Sequence, residues 1–109
     1  MEFLIYFAIM EIVWKNNKVR KDVLKRVKSN AVCHRRMVEL KNAPCFLDIP
    51  KSAKAHFLKG DLKGYFAIDF DYPARLICEP VGEYEFKNGQ YIKETITCIE
   101  IVMLKVDYH

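Results

Sequence analysis

The sequence holds no Cys-x-x-Cys pair, no glycine-rich phosphate loop and no Gly-x-Ser-x-Gly elbow. It also lacks an apolar run of the ~20 residues that a bilayer-crossing helix requires. These absences remove a zinc-ribbon ligand set, a backbone cradle for nucleotide phosphates and a strand-to-helix serine nucleophile from consideration. Neither a repeat nor a linker nor a low-complexity tract divides the chain, and 109 residues suit one domain. The four cysteines, at 33, 45, 78 and 98, fall in segments that read as buried. An even count would allow two disulfides. The amino-terminal stretch, however, lacks the basic leader and small-residue cleavage site of a secretion signal. The expectation is four free, reduced core thiols in a cytoplasmic protein with no metal and no cofactor.

Apolar residues make up 51% of the chain, with seven Phe, six Tyr and one Trp, enough for a core without disulfide or metal support. A net charge of +4 conceals an asymmetry. Residues 15–41 carry ten basic and two acidic side chains, leaving the remainder acidic overall. Such a block suits a polyanionic partner, and it equally suits a solvated helix face.

Met1 to Trp14 reads as a strand, rich in Ile, Val, Phe and Tyr. Met10 is an alternative start, which would make residues 1–9 an extension. From Asn17 the period changes. Val19, Val23 and Val27 recur every fourth residue while Lys18, Lys21, Lys25 and Lys28 fill the other face, the pattern of an amphipathic helix. Ser29 or Asn30 caps a second helix, whose stripe is Cys33, Met37 and Leu40 and which ends before Pro44. Short strands follow at 55–59, 65–70, 75–79 and 95–104, with a turn at Asp71-Tyr72-Pro73 and a polar loop or hairpin tip at 83–90. The order β–α–α–β–β–β predicts an α+β domain, a helical hairpin packed on one face of a small, mostly antiparallel sheet.

Three polar clusters stand against this apolar frame. His56 opens the segment His56-Phe57-Leu58-Lys59-Gly60-Asp61-Leu62-Lys63-Gly64. In a strand, His56 and Lys59 point to opposite faces unless the chain bends near Lys59, which Gly60 and Gly64 permit. His56 taken alone also fits a satisfied surface or core histidine. Arg75 interrupts an apolar strand and needs solvent, an acid or a phosphate, since unpaired burial is costly. Asp69, Asp71 and Glu79 are its alternative ion-pair partners. The terminus, Asp107-Tyr108-His109, offers an acid, a phenol and an imidazole together, or merely a frayed end.

RNA cleavage without a metal gives one reason for these groups to coexist. The 2′-hydroxyl attacks the adjacent phosphorus while one group takes its proton and another protonates the leaving 5′-oxygen. Imidazoles suit both tasks, and Lys or Arg steadies the charge that grows on the phosphoryl oxygens.

At these residues the sequence is similar to the HigB branch of the RelE superfamily, the plasmid-maintenance killer proteins of type II toxin–antitoxin systems. The likeness runs from about residue 10 to His109. It rests on Leu40-Lys41-Asn42-Ala43-Pro44, His56-Phe57-Leu58-Lys59-Gly60 and Lys63-Gly64. It continues through Ala67-Ile68-Asp69-Phe70-Asp71, Arg75-Leu76-Ile77-Cys78-Glu79-Pro80 and the closing Asp107-Tyr108-His109. The resemblance implies a RelE-like fold and a ribosome-dependent endoribonuclease that cuts messenger RNA in the A site. It implies catalytic roles for His56, Asp107, Tyr108 and His109, and phosphate or RNA contacts at Lys59, Lys63 and Arg75. It implies ribosomal RNA binding by the basic helices, through Lys18, Lys21, Lys25, Lys28, Arg35 and Arg36. The implied partners are a helix-turn-helix, HigA-like antitoxin, messenger RNA and the ribosome, with operator DNA reached only through the antitoxin and no membrane. The alternative is a non-catalytic toxin-fold module that only binds an antitoxin or RNA.

Overall fold

A computed structural model describes residues 9–106. Asn16 starts the first helix, its side-chain oxygen accepting the backbone N–H of Val19 at 2.9 Å. This helix, α1, spans Asn17–Ser29 and turns Val23 fully into the core, with Val19 and Val27 beside it. Of the two expected caps for the second helix, Asn30 performs the task by accepting from the N–H groups of Val32 and Cys33. Helix α2, Ala31–Asn42, buries Cys33, Met37 and Leu40 as the stripe predicts, and stops two residues before Pro44.

Five strands form the main sheet, in the order β1-β7-β4-β3-β2. They are β1 (Glu11–Trp14), β2 (His56–Phe57), β3 (Phe66–Asp69), β4 (Ala74–Pro80) and β7 (Cys98–Val106). β1 runs parallel to β7, and the other pairings are antiparallel. The two helices cover one face of the sheet. Phe66, Ile68, Leu76, Cys78, Ile99 and Ile101 meet the helical stripe there. Phe66 is wholly buried, and its truncation to Ala would cost about 3–5 kcal/mol.

The expected α+β architecture is therefore present, with differences in its strands. The strand predicted at 55–59 shrinks to two residues at the sheet edge. The carboxy-terminal strand begins three residues later than predicted, because Lys93–Thr95 form a 3-10 turn. The segment read as a polar loop contains a separate ribbon, β5 (Phe86–Lys87) and β6 (Gln90–Tyr91). Asn88 and Gly89 join its strands with φ of 54° and 74°, the left-handed pair that a two-residue hairpin turn demands.

Two expectations about individual side chains are corrected. Arg36, predicted on the exposed basic surface, is 5% exposed. Its Nε donates to the Asp69 carbonyl at 2.9 Å, and its remaining donors reach Glu39, the Ser52 hydroxyl and the Ser52 carbonyl. Helical spacing alone could not show that the end of β3 and the 3-10 turn at Lys51–Ala53 each bring a backbone acceptor to that position. Cys33, Cys45 and Cys78 are buried and free, whereas Cys98, also free, is only half-buried on the outer face of β7.

Candidate functional site

Cross-strand partners share a face of a sheet, so the register locates the candidate residues. His56 lies opposite Ala67, Ala67 opposite Ile77, and Ile77 opposite Met103. The adjacent row is Asp69, Arg75 and Lys105. Both rows belong to the face away from the helices. His56 and Arg75 are therefore on the same face, separated by two strand spacings, roughly 10 Å laterally, and by two residues along the strands. Ala67 and Ile77 lie between them and are buried, which gives this part of the face an apolar floor.

His56 is exposed, and its Nδ1 sits 2.7 Å from the carbonyl oxygen of Lys54. A carbonyl only accepts, so Nδ1 carries the proton in that contact. The neutral ring then presents Nε2 as a lone-pair acceptor. Lys54 holds this geometry from a left-handed backbone conformation, φ 51°.

Arg75 keeps one of its three alternative partners. Its Nε is 3.9 Å from Asp69 Oδ1, too long for a hydrogen bond, and this buried nitrogen has no hydrogen-bond partner among the described residues. The Arg75 side chain as a whole is 36% exposed. Asp71 is instead engaged by Arg26 Nε at 2.7 Å and by the Asn30 amide at 2.9 Å. Burial pushes the Asp71 carboxyl up, but the Arg26 and Cys33 hydrogen bonds and the guanidinium charge outweigh it and hold the group below its usual range. Glu79 sits four residues along β4, opposite Glu100.

The predicted residues Asp107, Tyr108 and His109 lie outside the described residues. Strand β7 carries the chain as far as Val106, whose cross-strand partner is Ala74, the neighbour of Arg75.

Lys59 and Lys63 belong to a different feature. Gly60, at φ 69°, turns the chain out of β2 into a 3-10 turn at Gly60–Leu62. The two lysines then line a groove of about 850 Å³ between this turn and the β5–β6 ribbon. Neither His56 nor Arg75 is among its lining residues. The wall is aromatic. Phe57 and Tyr91 stack in parallel at 4.4 Å, Phe46 covers the far side of Phe57 at 5.1 Å, and Phe86 meets Tyr91 edge-on at 4.9 Å. Burial, with Tyr84 and Glu79 nearby, raises the Tyr91 hydroxyl above its ordinary pKa. Lys93 supplies a third cation. Sequence reasoning missed Phe86, Tyr91 and Lys93. The available signal was the pair of aromatics placed symmetrically about Asn88-Gly89, which become cross-strand partners once that turn closes.

On α1, Lys18, Lys21, Lys25 and Lys28 form one exposed stripe, with Lys18 bound to Asp22 at 2.8 Å. Arg35 is exposed on α2, 3.9 Å from Glu39. Among the described residues, no group of three or more His, Cys, Asp or Glu side chains is placed to hold a metal ion. None of their helices is long and apolar enough to cross a membrane.

No family model and no curated protein matches the sequence. Among solved structures the chain is similar to a YoeB/ParE toxin from Agrobacterium tumefaciens. The identity is 21% and the TM-score 0.57, over 91% of this chain and all of the other. At that identity the match establishes a shared toxin fold, to which nearly the whole chain contributes.

Proposed function

We propose that the protein is the toxin of a type II toxin–antitoxin pair and acts as a ribosome-dependent endoribonuclease of the HigB kind. The observation that carries this reading is the placement of exposed His56 and half-buried Arg75 on one sheet face, opposite the helices of a toxin fold. Chain continuity supports the remaining members. Asp107, Tyr108 and His109 follow in sequence from Val106, which pairs with Ala74, the neighbour of Arg75.

In the proposed mechanism, Arg75 holds the scissile phosphate. An imidazole removes the proton of the 2′-hydroxyl as its oxygen attacks phosphorus. The P–O5′ bond breaks, leaving a 2′,3′-cyclic phosphate, and a second proton donor delivers a proton to the departing 5′-oxygen. The Lys54 carbonyl fixes the His56 tautomer that suits proton acceptance, with Nε2 free to receive it. Arg75 stabilises charge on the non-bridging oxygens, a role its loosely held guanidinium is free to take. The exposed α1 stripe and Arg35 supply backbone-directed attraction to ribosomal RNA. An antitoxin of the helix-turn-helix, HigA-like class would neutralise the toxin and carry it to operator DNA.

The test is primer extension on ribosome-bound messenger after expression of the intact chain and of His56→Ala and Arg75→Ala. Removing a general acid or base lowers cleavage by roughly 10²–10⁴-fold. Cleavage is expected with the intact chain and lost in both variants, whose far-ultraviolet circular dichroism is unchanged. Intact messenger alongside tight antitoxin binding would instead identify a non-catalytic binding module and overturn the proposal.

A further inference from the structure

The groove beside the β5–β6 ribbon is built from flat rings and cations. Phe57 is covered on both faces, by Phe46 and by Tyr91, whereas Phe86 remains 53% exposed. Lys59, Lys63 and Lys93 surround these rings, and no carboxylate is among the lining residues. An apolar peptide would gain nothing from three ammonium groups. A single-stranded nucleic acid uses both features, because every base has a π-face to stack and every linkage a charge to neutralise.

We infer that this groove is a subsite for an unpaired nucleotide of RNA, with its base against Phe86 and its flanking phosphates on Lys59, Lys63 and Lys93. The inference rests on the RNA-cutting reading only for the choice of nucleic acid. The groove and the His56–Arg75 face are separated by the edge strand β2 alone, where the consecutive residues His56 and Phe57 take opposite faces. A strand leaving the groove around this edge reaches His56. The subsite thus grips the substrate beside the cleavage position and favours nucleotides that stack strongly.

A flat ring acts differently from an apolar anchor, and the ribbon needs an anchor at this position. A two-stranded hairpin is marginal by itself; Tyr91, stacked on Phe57, ties it to the domain, and Phe86 packs edge-on against Tyr91. Phe86→Leu keeps apolar bulk there and removes only the stacking surface.

The experiment titrates full-length protein carrying His56→Ala, which lies outside the groove, into a short single-stranded ribonucleotide with a central 2-aminopurine. Saturable quenching of the base fluorescence is expected. Phe86→Leu in the same background should abolish the quench and weaken binding on the order of ten-fold, with an unchanged melting curve. Lys63→Ala should lower the log–log salt slope by roughly 0.7. Native quench and affinity in Phe86→Leu would overturn the inference. Equal binding of an abasic oligonucleotide, or no binding of RNA at all, would do the same. The two proposals fail separately. Messenger cleavage with a Phe86-independent groove sinks only this one, and Phe86-dependent quenching in a protein that never cuts messenger sinks only the other.

Discussion

Arg36 Nε lies 2.9 Å from the backbone carbonyl oxygen of Asp69, joining the middle of α2 to the end of β3 through a guanidinium that is almost wholly buried. Its other nitrogens bind Glu39 and both oxygens of Ser52. One planar side chain thus satisfies acceptors from three separate segments.

Removing Arg36 takes a buried guanidinium away from those partly buried acceptors. Arg36→Ala is expected to destabilise the fold by about 3–5 kcal/mol, the scale for breaking a buried charge arrangement from one side. Arg36→Lys should recover little, because an ammonium cannot reproduce the fork. Arg35→Ala, at an exposed neighbour, should stay within about 0.5 kcal/mol of the native value. Urea denaturation of the three variants decides the matter, and equal midpoints would refute the structural role of Arg36.

The ion pair of Asp71 with Arg26 gives stability an acid limb. The folded carboxyl is depressed below its ordinary value of about 4, so its contribution is fully present above that pH. It is lost as pH falls through the lower, folded value. Asp71→Asn should cost about 1–2 kcal/mol at neutral pH and flatten the dependence below about pH 4. Thermal melts across that range would show it. An acid limb identical in the variant would assign the effect to other carboxylates.

The exposed α1 stripe should govern association more than folding. Combining Lys21→Gln, Lys25→Gln and Lys28→Gln is expected to weaken sedimentation with ribosomes. The salt slope should fall by roughly 0.7 for each phosphate contact removed. Unchanged co-sedimentation would return these lysines to the role of a solvated face.

Thiol reactivity should follow burial. Cys33 is pushed up to about 12 by burial and by its hydrogen bond to Asp71, and Cys78 is raised further by burial alone. Cys45 is raised by burial and by Asp48, with its Sγ 3.1 Å from that carboxylate. Cys98 is raised by burial and by Glu11 and Glu100, yet it is the one reached by solvent. Alkylation of the native protein at pH 7.5, followed by mass spectrometry, should modify Cys98 first and leave Cys33 and Cys78 intact. Early labelling of Cys33 would contradict its burial.

Much of the fold was legible in residue order. The four-residue recurrence of Val19, Val23 and Val27, the cap at Asn30 and the stop before Pro44 are local signals, and local backbone chemistry acts on each directly. The alternation of Phe66, Ile68 and Phe70 likewise named the core face of β3. The same alternation placed Lys59 opposite His56, and the two indeed fall to different features. The ribbon was half legible. Asn88-Gly89 marked its tip, but the value of Phe86 and Tyr91 depends on Phe57, which is about thirty residues away in sequence.

Composition and period by themselves determined the helices, the apolar strands, the free thiols and the concentration of positive charge in residues 15–41. Tertiary structure alone decided which cations are available. Arg36 is consumed by acceptors that only the folded chain brings to it, Arg26 is claimed by Asp71, and Arg75 retains, among the described residues, a single distant acid. The reason is that propensity and pattern act over a few residues, whereas the partner of a charge is set by strand register and chain reversal. Those are fixed only when the whole sheet has formed.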